Sequence, residues 1–263
     1  MKTLHQQKHQ PSIFFRSDNL DFIPHLHSAV ELTVLTRGHT DVLCDGRRHR
    51  MAQGDLFLAF PNRVHGYENS QNCRAIVFII PSAPSLSPVW STLEQSIPDR
   101  PLLARGSWEH TGVNRLLDMA LAESQASPTM LQGYALLVIS KLLPLLELRP
   151  ADRNDSVSAL QALMQYVNTH YAQPMTRAEL AQATGYNESY ISHLFREHLH
   201  TTLTDYLASL RVNDAQNLLT RTDLSVSRIA LSLGFGTIRS FNRVFLDRTG
   251  MAPAAYRAAN RNK

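Results

Sequence analysis

Two cysteines in 263 residues leave no material for a disulfide framework or a four-cysteine metal site. Cys44 and Cys73 read as reduced thiols used as small core hydrophobes. Eleven glycines and thirteen prolines exclude a collagen-like or Pro/Gly-rich disordered chain. Long apolar runs are missing as well. The greasiest stretch, 134–148, is interrupted by Ser140, Lys141, Pro144 and Glu147. It falls short of the ~20 apolar residues that a membrane span needs. The first ten residues hold no apolar segment of the signal-peptide kind. No membrane partner is expected, and the chain reads as cytoplasmic. Charged residues make up 18% and hydrophobic ones 43%, so a packed core is expected rather than disorder. At ~100–200 residues per domain, this length gives one large or two ordinary domains.

What is present is unevenly placed. Residues 1–152 carry fourteen basic and fourteen acidic side chains, whereas residues 153–263 carry twelve and eight. The whole net charge of +4 therefore sits in the C-terminal part, and eleven of its twelve cations are arginine. Arginine is the side chain that forks onto phosphates and guanine edges. On charge alone, an ordinary solvated surface fits equally well. Histidine is abundant at twelve, with eight before residue 153 and four after it.

Residues 11–82 read as short strands separated by turns. Val30–Thr36, Thr40–Cys44, Asp55–Phe60 and Arg74–Ile80 are rich in β-branched and apolar residues. Turn signals separate them at Arg37-Gly38, Asp45-Gly46, Gln53-Gly54, Pro61-Asn62 and Asn69-Ser70. Cys44-Asp45-Gly46-Arg47 predicts a tight hairpin. Such spacing argues for a β-sandwich or small barrel. Five prolines between 81 and 107 predict an irregular connection. From Trp108 the period becomes helical, first over 113–121 and then over 131–145. The second of these helices is apolar nearly all round, so it must be covered on most faces. It is either a core helix or the contact between two copies of the chain. The polar stretch 149–156 reads as a linker. The expected division is 1–107, 108–150 and 151–263.

The C-terminal part contains a repeat. Leu180-Ala-Gln-Ala-Thr-Gly-Tyr186 precedes Ser189–Arg196, and Ile229-Ala-Leu-Ser-Leu-Gly-Phe235 precedes Ser240–Leu246. Gly185 and Gly234 are 49 residues apart, and Phe195 and Phe245 are 50 apart. Thr176 with Glu179 predicts a capping box. The glycines sit where a helix must end with positive φ. Each unit's second helix has core residues (Ile191, Leu194, Phe195; Phe241, Val244, Phe245) and a polar outer face. A major groove admits such a helix. The apolar face over 202–219 predicts a helix joining the two units, which must present their readers about one helical turn of DNA apart, ~34 Å.

These residues carry a family resemblance. Arg211, Ala215-x-x-Leu218-Leu219, Ile229-Ala230, Gly234-Phe235, Phe241-x-Arg243-x-Phe245 and Gly250-x-x-Pro253-x-x-Tyr256-Arg257 resemble the signature of the AraC/XylS family of bacterial transcription regulators. The resemblance spans roughly 158–258 and implies two helix-turn-helix units. On it, DNA contacts are expected from Ser189, Ser192, His193 and Arg196 in the first unit. In the second they are expected from Arg239, Ser240, Asn242 and Arg243, with Arg243 alternatively bracing the fold. One departure is His200, where the family usually has glycine after the recognition helix.

In the N-terminal part, His25-x-His27-x(3)-Glu31-x(6)-Gly38, and later His65-x(3)-Asn69, resemble the paired motif of a cupin barrel. His25 and His27 are then expected to face the same way, with His65 coming from a neighbouring strand. Three imidazoles and a carboxylate suit Zn, Ni, Fe or Mn. They suit direct effector contact as well, or a purely structural cluster. Glu31 is the sharpest clue, because a carboxylate facing into a barrel needs partners.

The fold expected is multi-domain. An N-terminal all-β, cupin-like barrel plus helices precedes an all-α C-terminal domain with two helix-turn-helix units. The function expected is a ligand-responsive, sequence-specific DNA-binding regulator, with no enzyme activity and no required cofactor. The partners expected are double-stranded promoter DNA, a small sugar-like effector, RNA polymerase and a second copy of the chain. Two other readings remain open here: a metal-dependent cupin enzyme, and a DNA-binding protein without a ligand.

Overall fold

The structure, a computed structural model, is described for residues 13–82, 87–123, 127–151 and 155–260. It divides into two compact units, with the boundary at Gln161/Ala162.

The first unit is built on β1 (Ile13–Ser17), β2 (Phe22–His25), β3 (Val30–Cys44), β4 (Arg47–Ala52), β5 (Leu56–Ala59) and β6 (His65–Ile80). After these come α1 (Ser87–Gln95), β7 (Ser96–Pro98), β8 (Leu102–Leu103), α2 (Val113–Ala122), α3 (Pro128–Leu142) and β9 (Leu148–Pro150). One antiparallel sheet runs β1-β6-β3-β5-β8, with β2 also on β6 and β4 also on β3. Among its described residues, the stretch 81–107 is more regular than its prolines suggested, with α1, β7 and β8 in it.

The long strands correct a second expectation. Val30–Thr36 and Thr40–Cys44 are one strand, not two. The Arg37-Gly38 signal marks β-bulges, with register slips between Leu35 and Asp41 and Gly38 at φ +78°. Asn69 and Asn72, both at positive φ, interrupt β6 without ending it. A bulge bends a strand and keeps its pairing. Each long strand can thus pair along both halves: β3 residues 30–35 face β6 residues 75–80, and Asp41–Cys44 face His65–Glu68. This makes the sheet a cupin-like barrel. The hairpin at Asp45-Gly46 forms as expected, with both residues at positive φ and Cys44 opposite Arg47.

Strand alternation splits the apolar residues between two cores. Val30, Leu32, Val34, Ile76, Phe78 and Ile80 join α1, α2 and α3 in one of them. Ala29, Leu35, Phe57, Tyr67, Val77 and Ile79 form the other. The α3 side chains of Leu131, Ala135, Val138, Ile139 and Leu142 are all buried in the first core. Each leucine, valine or isoleucine buried there contributes roughly 1.5–3 kcal/mol. This face of α3 belongs to the unit's own core, while Leu137 and Met130 stay exposed. The indole of Trp108, buried in the same core, donates to the Gly54 carbonyl at 3.1 Å.

The second unit is all-helical. The boundary falls inside α4 (Asp155–His170), after which come α5 (Arg177–Thr184), α6 (Glu188–Leu199), α7 (Leu203–Arg221), α8 (Val226–Ser232), α9 (Ile238–Thr249) and α10 (Pro253–Asn260). Every helix from α5 to α9 starts on a hydroxyl or amide that accepts a backbone N–H: Thr176, Asn187, Thr202, Ser225 and Thr237. Thr176 and Glu179 form the expected capping box. Gly185, His200 and Gly250 end α5, α6 and α9 in the left-handed region. His200 at φ +51° thus supplies the same exit as Gly250 at φ +71°. The core of the second repeat is an aromatic run through Phe235, Phe241, Phe245 and Tyr256, edge-to-face at its two ends and tilted between Phe241 and Phe245. Val244, expected in that core, is only half-buried. No helix among the described residues is long and apolar enough to cross a membrane.

Candidate effector site and nucleic-acid interface

The barrel brings His25, His27, Glu31 and His65 together. One donor atom from each lies within 4.8 Å of all the others. The sequence positions these side chains through strand pairing. His25 ends β2 directly opposite His65, the first residue of β6. Glu31 alternates with Leu32 on β3 and so shares a face with Ala29 and Leu35. The rings of His25 and His65 are 4.3 Å apart, and His27 lies 5.5 Å and 5.0 Å from them. Asn69, the last residue of the cupin pattern, is not in the cluster; its amide donates to Asp41 at 2.9 Å.

Two residues missed by sequence reasoning complete the site. The Tyr67 hydroxyl donates to Glu31 Oε1 at 2.8 Å, and Thr33 and Tyr67 share a 2.8 Å hydrogen bond. Both lie two residues along a strand from a cluster member, on the same face. That period-2 spacing was the available signal.

The electrostatics are strongly coupled. Burial pushes the Glu31 carboxyl up, but hydrogen bonds and charge from His27 and His65 outweigh it and hold the pKa well below the ordinary range. Burial, aided by the other two histidines, drives His25 well below its usual value. For His65, burial is outweighed by Glu31 and the Arg63 carbonyl, and the pKa rises. Burial and the Glu31 charge raise Tyr67 well above the phenol range. An anionic carboxylate thus sits among rings of unequal basicity, in a place suited to a cation or to a polar ligand.

The second site is the outer face of the helical unit. Ser189, Ser192, His193 and Arg196 on α6 occupy i, i+3, i+4 and i+7, one helix face. Arg239, Asn242 and Arg243 on α9 occupy the equivalent places fifty residues later, with Leu246 in the fourth. Ile191, Leu194 and Phe195, or Phe241 and Phe245, anchor the opposite faces. Ser240 is set off from this face by ~100° of helix rotation, and its hydroxyl donates to the Thr237 carbonyl at 2.8 Å. Ser192 donates to the Glu188 carbonyl at 2.9 Å and accepts from Arg177 at 3.0 Å. His193 is 2.7 Å from Glu197. An open groove of about 800 Å³ runs beside α9, lined by Arg239, Asn242, Arg243 and Pro253 among others.

Not every arginine faces outward. Arg211 donates to the carbonyls of Tyr171 (2.8 Å) and Gln173 (2.9 Å). Arg257 donates to those of Leu219 and Leu224. Arg248 reaches Ser209 at 2.6 Å and Asp205. These three brace helix ends, so the basic excess divides between scaffold and surface.

Known proteins resemble both units. Residues 12–132 match the AraC-like ligand binding domain, and residues 180–259 match a helix-turn-helix domain. The HTH-type transcriptional activator RhaR of Enterobacter sp. (strain 638) is 26% identical over 256 residues, covering 91% of this chain and 88% of that protein. The uncharacterized HTH-type transcriptional regulator YijO of Escherichia coli (strain K12) is 31% identical over 148 residues, covering 55% of this chain and 52% of that one. ToxT from Vibrio cholerae shares the fold, with a TM-score of 0.55 at 14% identity over 94% of this chain and 97% of its own. Two matched domains in this order, on a chain with the signature residues of both repeats, make this protein a member of the AraC/XylS family of transcription regulators.

Proposed function

We propose that this chain is a ligand-responsive transcription regulator in which the barrel unit registers a small effector and the helical unit reads promoter DNA. The observation that carries the reading is the duplicated polar face, Ser189/Ser192/His193/Arg196 and Arg239/Asn242/Arg243, on two capped and core-anchored helices. Arginine on such a face supplies both phosphate and base-edge contacts. Ser192 and Ser240 contribute only by giving up the internal bonds described above. The effector state is registered around His25, His27, Glu31 and His65, by direct contact or through a bound ion. A sugar or related small molecule is the effector class expected from the family resemblance.

The working division is a sensor over 1–107, a coupling and dimerisation segment over 108–150, and a DNA reader over 151–263. Exposed Met119, Met130 and Leu137 on α2 and α3 support a second copy of the chain as partner. RNA polymerase is the further partner of an activator. The protein acts in the cytoplasm, where promoter DNA is, and catalyses no reaction. For the response to work, the effector must favour one arrangement of the chain over another.

Selection from a random duplex library, followed by fluorescence anisotropy at fixed salt, tests the reading. The expected result is one enriched sequence. Arg239→Ala should cost ~1–3 kcal/mol and relax preference at one base pair. No enrichment over the random pool would overturn the proposal.

A further inference from the structure

We infer that Ile238 is a base-reading residue of the second helix-turn-helix unit, and that it recognises the C5 methyl group of a thymine in the major groove. The starting observation is a difference between the repeats. Seven large hydrophobic side chains are exposed among the described residues, and four of them, Leu231, Ile238, Leu246 and Met251, fall in the second unit. The first unit, from Thr176 to His200, has none. Single exposed hydrophobics are ordinary, so position has to decide which of the four has a use. Leu231 belongs to α8, the helix that crosses the DNA backbone in a helix-turn-helix. Met251 lies past the Gly250 end of α9. Leu246 comes two turns after Ile238, about 12 Å farther along the axis. Of the four, Ile238 is the one in the first turn of α9, the part of a recognition helix that contacts base edges.

The fold makes little use of this side chain. Ile238 is 43% exposed, and the core beneath α9 is filled by Phe241 and Phe245, both fully buried. Thr237 is the cap, which makes Ile238 the first helical residue. A hydrophobic staple would use the positions of Gly236 and Phe241, and glycine has no side chain to supply. Isoleucine is a weaker helix former than the straight-chain residues, so helix formation does not call for it either. What it offers is a stiff, β-branched, apolar surface that loses little freedom on contact. In the major groove, thymine is the base that presents a methyl group to such a surface. Asn242 lies one turn on along the same strip of the helix, at i+4. An amide there can read adenine N6 and N7. Ile238 and Asn242 together thus suit A·T pairs, while Arg239 beside them suits guanine or phosphate. The equivalent position in α6, fifty residues earlier, is Glu188, whose carboxylate is 4.0 Å from Arg177. A carboxylate accepts from cytosine N4 and gives a methyl no apolar contact, so methyl reading at this position belongs to the second unit. The inference rests on the proposed function, to which it adds one residue and one base.

The test uses the full chain and the duplex enriched from the random library, with anisotropy read at fixed salt. Each thymine, on either strand, is replaced in turn by deoxyuridine, which keeps every hydrogen-bonding group and lacks only the methyl. One replacement should weaken binding about 4-fold, the factor for one buried methyl-sized group. Ile238→Ala should bind the natural and the substituted duplex equally. Ile238→Gln, a good helix former with a polar end, should do the same, and it decides the matter if the alanine variant fails to fold. Leu231→Ala, which removes an exposed hydrophobic from α8, should keep the 4-fold difference. An enriched duplex indifferent to deoxyuridine at every thymine would overturn the inference and leave the proposed function standing. So would a methyl effect that survives in folded Ile238→Ala, or one that vanishes in Leu246→Ala instead. Absence of any enriched duplex overturns both.

Discussion

Gly185 and Gly234 occupy equivalent places in the two repeats, yet an alanine should be tolerated very differently at each. Both have left-handed backbone, at φ +77° and +76°. A Cβ in that region costs about 1–2 kcal/mol, partly offset by a loss of unfolded-chain entropy worth about 0.4–1 kcal/mol. At Gly185 that is the whole effect, because a Cβ would have open space within 4 Å. At Gly234 the Cβ would stand 2.6 Å from the Ala172 carbonyl oxygen, 2.9 Å from its carbon and 3.3 Å from Arg211 Nη2. Backbone must then shift by most of an ångström against the same carbonyl run that Arg211 braces. Overpacking of this kind costs about 1–3 kcal/mol more. The expected losses are therefore ~0.5–1.5 kcal/mol for Gly185→Ala and ~2–4 kcal/mol for Gly234→Ala. The assay is thermal unfolding of the full chain followed by far-UV circular dichroism. At about 4–8 °C per kcal/mol for a unit near 100 residues, the two variants should differ by on the order of 10 °C. Both tryptophans, Trp90 and Trp108, lie in the barrel core, so their fluorescence transition should stay put and serve as an internal control. Equal destabilisation by the two alanines would refute the steric reasoning.

Other expectations follow from single contacts. Burial lifts the Asp214 carboxyl to about 6 from an ordinary 3.8. Its folded form holds the proton more tightly, so the stability this group contributes is full below about pH 3.8 and is lost as pH rises through about 6. Asp214→Asn, which keeps an oxygen to accept from the Tyr171 hydroxyl, should therefore stabilise the unit at pH 7.5, by at most about 3 kcal/mol, and lose its advantage towards pH 4. Tyr206 buries a hydroxyl that finds no hydrogen-bond partner among the described residues. Tyr206→Phe should be neutral or stabilising by up to about 1 kcal/mol in urea unfolding; a clear loss would reveal a partner. Arg211→Met removes two charged hydrogen bonds to carbonyls and should cost about 2–4 kcal/mol in the same assay, with Arg211→Lys recovering only part.

The helical unit was legible because its information is local. Caps, positive-φ helix ends and a 3.6-residue apolar period are all set within a few residues, and Thr176 with Glu179, and Gly185, announce themselves in the sequence. The four members of the barrel cluster were legible too, since the cupin spacing names them. Strand continuity was not. A glycine or asparagine at positive φ looks the same in a turn as in a bulge, and only pairing between β3 and β6 distinguishes them. The roles of the arginines were hidden for a related reason. Arg211 and Arg257 differ from Arg239 and Arg243 only in which distant carbonyls come within reach.

By itself, then, the sequence determined the two-part plan, the duplicated reader helices and the identity of the four clustered side chains, because each depends on spacing along the chain. Tertiary structure alone decided that the Nδ1 atoms of His25, His27 and His65 meet backbone carbonyls, that the Tyr67 hydroxyl reaches Glu31, and that Gly234 is pressed against Ala172. Those facts depend on where remote backbone passes, and no local pattern encodes that.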